Sequence, residues 1–140
     1  MNSANYNVLT PKKSNSVNEL LDELFQDRFS GHANRFSPSV DIFEDDQLYG
    51  IFLSLPGIKK EEIKIDIADN RLQVSGQRVV NGNGIIFHVQ EIPKGTFSKV
   101  FHIPKDVQQD KIEAKYEEGL LKLTLPKNQK LKHKYRIDIK

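Results

Sequence analysis

The stretch AKYEEGLLKLTLP, residues 114–126, decides the fold. Apolar and polar side chains alternate in each half of this segment, and Gly119 lies between the two halves. Successive side chains of a strand point to opposite faces, so each half presents one apolar face and one polar face. The segment therefore predicts two strands joined by a turn, with one face packed on an apolar core. The apolar series is Ala114, Tyr116, Leu121, Leu123 and Leu125.

The same alternation extends upstream to about Pro38. In residues 63–67, isoleucine alternates strictly with Lys64 and Asp66, which indicates a strand with one buried face. The sequence NGNG at residues 81–84 is the strongest turn signal of the chain, because Asn and Gly tolerate positive φ. Many short strands about ten residues apart, without intervening helices, predict an all-β antiparallel sandwich. The other predicted strands cover residues 40–42, 48–55, 72–74, 85–89, 97–103 and 112–116.

Before the sandwich, the segment SVNELLDELFQDRF has the periodicity of an amphipathic helix. Ser16 and Glu19 have the spacing of a capping box at its start. The apolar stripe permits two interpretations: a helix packed on the domain's own core, or an apolar face carried on a mobile arm. We divide the chain into an arm (residues 1–37), a sandwich (38–126) and a C-terminal extension (127–140). The stripe comprises Val17, Leu20, Leu21, Leu24, Phe25 and Phe29.

The C-terminal extension combines a charged linker, residues 127–136, with two isoleucines near the end of the sequence. In an extended chain Ile137 and Ile139 point the same way, while Asp138 faces water. The surrounding sequence is polar and offers these two side chains no core of their own. We expect them to enter a groove on another copy of the molecule.

Composition and motifs indicate a protein without catalytic chemistry. The 140 residues include 21 basic and 19 acidic ones, so the net charge of +2 gives no general reason to expect a nucleic-acid or membrane partner. The chain has no cysteine, and its four histidines lack the spacing of metal ligands. No phosphate-binding loop or nucleophile elbow occurs. We expect a soluble cytoplasmic protein without enzymatic activity, cofactor or bound metal.

Several segments, in the right order along the chain, resemble the small heat-shock proteins of bacterial type. The central sandwich of that family is the immunoglobulin-like α-crystallin domain. PSVDIFE (residues 38–44) resembles its opening strand, and YGIFLSLPGIKKEEIKI (49–65) resembles the next two strands with their Leu-Pro-Gly turn. AKYEEGLLKLTLP carries the Ala, Gly and Leu of the family signature, and the Ile-Asp-Ile tail strengthens the match. Members often carry Arg at two positions that hold Ile92 and Lys99 here.

The resemblance implies an ATP-independent holdase that binds partly unfolded proteins, here called clients, and keeps them from aggregating. A CS-domain-like co-chaperone adaptor shares the sandwich and is the alternative, although it would have little use for the isoleucine tail. A nucleic-acid-binding protein acting through the basic linker is a more distant alternative. In the holdase interpretation, the arm binds clients through Leu20, Leu21, Leu24, Phe25, Phe29 and Phe36.

The resemblance also implies a homodimer that assembles into larger homo-oligomers. In bacterial and plant members, a strand of the long loop pairs with the opening strand of a second subunit; the matching residues are Ile85, Ile86, Phe87, His88 and Val89. The residues alone leave another possibility open, a local hairpin in which Val79 and Val80 fold back on Ile85 and Ile86. The tail would enter a groove on a neighbouring sandwich, lined by Ile63, Ile65, Ile67, Ile112, Ala114 and Tyr116.

Overall fold

The computed structural model describes residues 16–22, 35–129 and 137–140, and its core is a sandwich of two antiparallel sheets. One sheet has four strands in the order β1-β2-β7-β6, and the other has three in the order β3-β4-β5. This arrangement confirms the predicted all-β sandwich. The strands are β1 (Val40–Glu44), β2 (Leu48–Ser54), β3 (Lys64–Ala68), β4 (Arg71–Arg78), β5 (Gly95–His102), β6 (Glu113–Glu117) and β7 (Leu120–Pro126).

The core lies between the sheets and follows the sequence alternation. Along β7, Leu121, Leu123 and Leu125 are buried, whereas the residues between them are half-exposed. β2 adds buried residues beside β7 in the same sheet, and β4 supplies buried residues from the opposite sheet; each of these strands pairs with a strand on both sides. The buried residues of these two strands are Tyr49, Ile51, Leu53, Leu72 and Val74.

The turn between β6 and β7 requires its glycine. Gly119 has a φ of +78°, and a Cβ built on it would lie 3.0 Å from the Cα of Pro56. Its carbonyl accepts a 2.7 Å hydrogen bond from the Leu55 amide. The predicted strand-turn-strand unit is therefore formed, and its turn packs closely against the Leu-Pro-Gly turn that follows β2.

Residues 16–22 are helical, and their apolar side packs on the sandwich. Leu20 is completely buried and belongs to the same core cluster as the strand residues, and Val17 packs against that cluster. The described part of the apolar stripe, in residues 16–22, therefore packs on the domain's own core; the rest of the stripe lies outside the described residues. No helix within the described parts of the chain is long and apolar enough to cross a membrane.

In the long connection between β4 and β5, the predicted strand 85–89 is not formed within the single chain. Val79 and Val80 do not pair with Ile85 and Ile86 as a hairpin either. The tight turn at this point is present, since the Ile85 amide donates to the Gly82 carbonyl at 3.2 Å. A strand needs a neighbouring edge to satisfy its backbone groups, and the alternation pattern does not say which edge that is.

Candidate functional site

β3 and β6 are outer strands of the two different sheets, and side-chain hydrogen bonds tie together the segments at their ends. The Tyr116 hydroxyl of β6, with one proton to donate, lies 2.6 Å from the carbonyl oxygens of both Leu55 and Ile58, before β3. After β3, the Asn70 side chain accepts a 2.8 Å hydrogen bond from Gln109, before β6. The start of each strand is thus tied to the end of the other, so the two strands run in opposite directions.

The sandwich is open between these two strands. Ile67 pairs directly with Leu72, and Ala114 pairs directly with Leu123, so each pair points to the same side of its sheet. Leu72 and Leu123 are fully buried, yet Ile67 is 41% exposed and Ala114 is also exposed. Two residues that face the interior side and still contact solvent mark a groove between the sheets.

The groove combines apolar side chains with unpaired strand edges. Among the described residues, β3 pairs only with β4, and β6 pairs only with β7. Their outer edges therefore present backbone groups to which an extended segment can add as a further strand. The six predicted groove residues all lie on this side; four of them are half-buried against the core, namely Ile63, Ile65, Ile112 and Tyr116.

The two isoleucines of the C-terminal extension have the chemistry that such a groove accepts. Ile137 is 86% exposed and Ile139 is 99% exposed, and residues 137–140 belong to no helix or strand. In the single chain these side chains therefore lie outside the β3–β6 groove. They are the most exposed large apolar side chains among the described residues.

The root of the extension is fixed beside the hairpin that joins β1 and β2. The Lys127 amide donates to the Gln47 carbonyl at 2.8 Å, and the Lys127 ammonium lies 2.6 Å from a Glu44 carboxylate oxygen. Asp45 accepts hydrogen bonds from the amides of Gln47 and Leu48, and these bonds hold the pKa of its carboxyl below the usual value. The extension therefore leaves the sandwich at a defined point.

A second candidate surface surrounds the long loop between β4 and β5. A cavity of about 790 Å³ lies between this loop, the segment before β1 and the turn after β2. Its apolar lining includes Phe36, Pro38, Val79, Val80, Phe87, Val89 and Ile92. Of the five residues predicted to form an exchanged strand, the four apolar ones, Ile85, Ile86, Phe87 and Val89, are 45% to 83% exposed, and His88 is exposed beside them.

Arg78 holds the base of this loop, and the sequence analysis missed it. Its Nε donates to the Pro56 carbonyl at 2.9 Å and its Nη1 donates to the Pro93 carbonyl at 2.7 Å. The guanidinium also stacks 4.6 Å from the centre of the Phe36 ring. One side chain thus joins both ends of the loop to the turn after β2 and to the segment before β1. A basic residue ending an alternating strand was the only sequence signal.

The predicted client-binding residues are placed differently from one another. Leu20 is completely buried in the core of the single chain, and its role in client binding stays a prediction. Leu21 is half-buried, while Leu24, Phe25 and Phe29 lie outside the described residues. Phe36 is half-buried, with its ring centre 5.5 Å from that of Phe97.

The two positions at which this chain lacks the arginine often found in the family differ sharply in solvent exposure. Ile92 is 70% exposed at the end of the long loop. Lys99 is 2% exposed and lies on the interior side of β5, opposite the buried Val74. At the two positions where family members often carry Arg, this chain therefore has an exposed isoleucine and a buried lysine.

Comparisons with known proteins agree on one family. The model of the Hsp20/alpha crystallin family matches residues 41–140. Heat shock protein 16 of Schizosaccharomyces pombe is 33% identical over 136 residues, covering 89% of this chain and 92% of that protein. Small heat shock protein C2 of Rickettsia felis is 27% identical and covers 91% and 87%, respectively.

Solved structures give the same result. Heat shock protein 16.0 from Schizosaccharomyces pombe superposes with a TM-score of 0.63 at 34% identity, covering 75% of this chain and 99% of that one. A small heat-shock protein from Xylella fastidiosa, described as having a distinct high order structure, superposes with a TM-score of 0.64 at 26% identity. It covers 75% of this chain and 97% of that one.

Proposed function

This chain belongs to the Hsp20/alpha crystallin family, the small heat-shock proteins, and we propose that it is an ATP-independent holdase for partly unfolded proteins. Membership supports a chaperone role in stress. The observation that carries the proposal is the amount of apolar surface that the folded chain leaves in solvent. Seven of the eleven exposed large apolar residues among those described lie between Val79 and Ile92. Aggregating proteins expose the same kind of surface, so the two can bind each other.

The proposed functional unit is a homodimer built by strand exchange. β1 pairs only with β2 among the described residues, so its other edge is available. Residues 85–89 are apolar, exposed and unpaired within their own chain. Pairing this segment with β1 of a second subunit removes two aggregation-prone edges at once.

Dimers are proposed to assemble further when the tail of one subunit enters the β3–β6 groove of another. Because Lys127 and Asn128 are bonded to the sandwich, the free part of the linker is the eight residues 129–136, which span up to about 26 Å when fully extended, at about 3.3 Å per residue. Burial of two isoleucines contributes roughly 3–6 kcal/mol before the cost of ordering the tail. A single tail therefore binds weakly, while several tails together hold an oligomer whose subunits still exchange.

The proposal is tested by heating an aggregation-prone client with the purified protein and following light scattering. We expect the protein to suppress client aggregation near equimolar ratio without nucleotide. Adding ATP should cause no further change, because client binding and release are equilibria that need no nucleotide. A folded protein of similar size and charge serves as the control for crowding. Suppression that appears only with ATP, or none at equimolar ratio, contradicts the holdase assignment.

A deletion variant tests which part of the chain binds clients. We expect deletion of residues 1–36 to leave a folded dimer, since the strands of the sandwich lie outside the deleted segment, and to weaken client protection. A truncated protein that protects clients as well as the full chain would assign client binding to the sandwich and its long loop alone, with no contribution from the arm.

A further inference from the structure

The long loop between β4 and β5 contains two consecutive Asn-Gly pairs in an exposed turn. The four residues 81–84, with the sequence NGNG, are all exposed to solvent. The Ile85 amide donates to the Gly82 carbonyl at 3.2 Å and closes the turn. Gly84 has a φ of +78°, and a Cβ built on it would meet nothing within 4 Å. The backbone at Gly84 is therefore open to solvent.

The second Asn-Gly pair has fewer contacts than the first. The Asn81 side-chain oxygen accepts a 3.4 Å hydrogen bond from the Asn83 amide, and a Cβ on Gly82 would lie 3.6 Å from the Phe87 ring. Within the described parts of the chain, the carboxamide of Asn83 and the amide of Gly84 have no hydrogen-bond partner. Two adjacent groups that can react with each other are therefore both free.

We propose that Asn83 is a site of spontaneous deamidation, and that this modification weakens the exchange of the strand that follows it. The Gly84 amide nitrogen gives its proton to water and attacks Cγ of Asn83. A C–N bond forms, the side-chain nitrogen regains a proton from water and leaves as ammonia, and a cyclic succinimide results. Water then opens one of the two C–N bonds of this ring. The product at position 83 is an aspartate or, when the chain runs through the side-chain carbon, an isoaspartate.

Glycine favours this reaction at Asn83. Because Gly84 has no Cβ, it does not shield its own nitrogen, and its backbone rotates more freely than that of any other residue. An exposed loop turn also has few contacts that oppose such rotation. Asn70, in the turn between β3 and β4, is a contrast within the same chain. Arg71 follows it, and its side-chain oxygen accepts a 2.8 Å hydrogen bond from Gln109, so we expect Asn70 to react more slowly.

Modification at position 83 changes both the charge and the length of the turn that precedes residues 85–89. Each product carries a carboxylate in place of a neutral carboxamide. Isoaspartate also adds one methylene to the backbone between the Gly82 carbonyl and the Ile85 amide, the two groups whose hydrogen bond closes the turn. The turn therefore becomes both charged and longer.

Both changes oppose the pairing of residues 85–89 with β1 of a second subunit. A new charge costs free energy when a subunit interface buries it, and strand pairing depends on a register that the adjoining turn helps to set. This consequence rests on the proposed strand exchange, whereas the chemical step does not. The two parts are therefore tested separately.

Peptide mapping of the full chain tests the chemical step. The purified protein is incubated in warm, mildly alkaline buffer, which favours loss of the amide proton, and is digested at intervals. Mass spectrometry, with labelling by a protein isoaspartyl methyltransferase, identifies aspartate and isoaspartate at each asparagine. We expect both products to accumulate at position 83 well before they appear at position 70. Equal rates at the two positions overturn the proposal.

Two substitutions separate this asparagine from its neighbour. Asn83→Gln retains the carboxamide on a longer side chain, so the succinimide cannot form, and most of the modification in the loop should be lost. Asn81→Gln is the matched control and should leave most of it in place. If Asn81→Gln removes most of the modification instead, the reactive residue is Asn81 and the proposal is overturned.

Native mass spectrometry before and after the incubation tests the consequence for assembly. We expect the wild type to lose dimer in proportion to its isoaspartate content, while Asn83→Gln remains dimeric. Asn83→Asp carries the charge without the longer backbone and should lose less dimer than the incubated wild type. A wild type that is deamidated at position 83 and dimerises as before overturns the proposed consequence. A fresh, unmodified wild type that is monomeric would instead reject the proposed strand exchange, and the peptide map would still report the chemical step.

Discussion

The double substitution Ile137→Ala with Ile139→Ala isolates the contribution of the tail to assembly. Each change removes three carbons, worth about 0.8 kcal/mol each when fully buried, or about 2.4 kcal/mol per residue. Both isoleucines are almost fully exposed in the single chain. Nearly all of the free energy of burying them is therefore gained when the subunits assemble. The pair loses about 5 kcal/mol per tail, which weakens each tail contact by roughly three orders of magnitude.

Mass measurement by light scattering, at several protein concentrations, reads this loss directly. We expect the double variant to shift to dimers with an unchanged circular dichroism spectrum, because neither side chain contributes to the core. Asp138→Ala is the matched control, since its side chain points away from the two isoleucines, and it should retain the wild-type mass. An undiminished mass in the double variant would refute the tail contact and leave the N-terminal arm as the main contact between dimers.

Three further predictions concern the groove, a turn and a titrating carboxylate. Ala114→Arg places a long charged side chain in the open β3–β6 groove. Size-exclusion chromatography should show loss of large assemblies, while the unfolding midpoint, measured separately, stays close to that of the wild type. A wild-type elution profile would contradict the groove as the binding site of the tail. Gly119→Ala puts a Cβ 3.0 Å from the Pro56 Cα at a φ of +78°, so denaturant unfolding should reveal a loss of about 1–2 kcal/mol or more; Gly84→Ala has the same positive φ and nothing within 4 Å, and should lose less. The pKa of Asp45 is lowered in the folded state. Its stabilising contribution is therefore present above the unfolded pKa of about 3.9 and is lost as the pH falls towards the folded pKa. Asp45→Asn should flatten the dependence of the free energy of unfolding on pH in this range, and an unchanged dependence would contradict the stabilising role of the Asp45 carboxylate.

The strands that pair within one chain could be predicted from the sequence. Strict alternation in residues 63–67 and 121–125 indicates one buried face, and the structure places these residues in β3 and β7. The turn at Gly119 was equally predictable, because few residues other than glycine tolerate its φ. In these segments local pattern and tertiary environment agree.

The pairing of the long loop and the packing of the helix could not be predicted from the sequence. Residues 85–89 have a strand pattern, but a pattern carries no information about which edge the strand pairs with. The stripe that contains Leu20 has the same spacing whether it packs on the domain's core or remains on a mobile arm. Only the observed burial of that side chain distinguishes the two.

Contacts between residues distant in sequence were also beyond prediction. Arg78 reaches Pro56 and Pro93, 22 and 15 residues away, and Tyr49 reaches Asp106, 57 residues away. Such contacts depend on how the two sheets stack and on where the loops cross. Burial raises the pKa of the Tyr49 hydroxyl above its ordinary value, although its sequence position marks it only as one inward residue of a strand.

The proposed function requires that the folded chain captures partly unfolded clients without nucleotide. The most direct measurement is size-exclusion chromatography of a client heated with the purified protein, followed by hydrogen exchange on the client in the eluted complex. We expect the two proteins to co-elute in one large, nucleotide-free complex in which the amide hydrogens of the client exchange rapidly. A client that pellets alone, or that remains native and elutes separately, would contradict it.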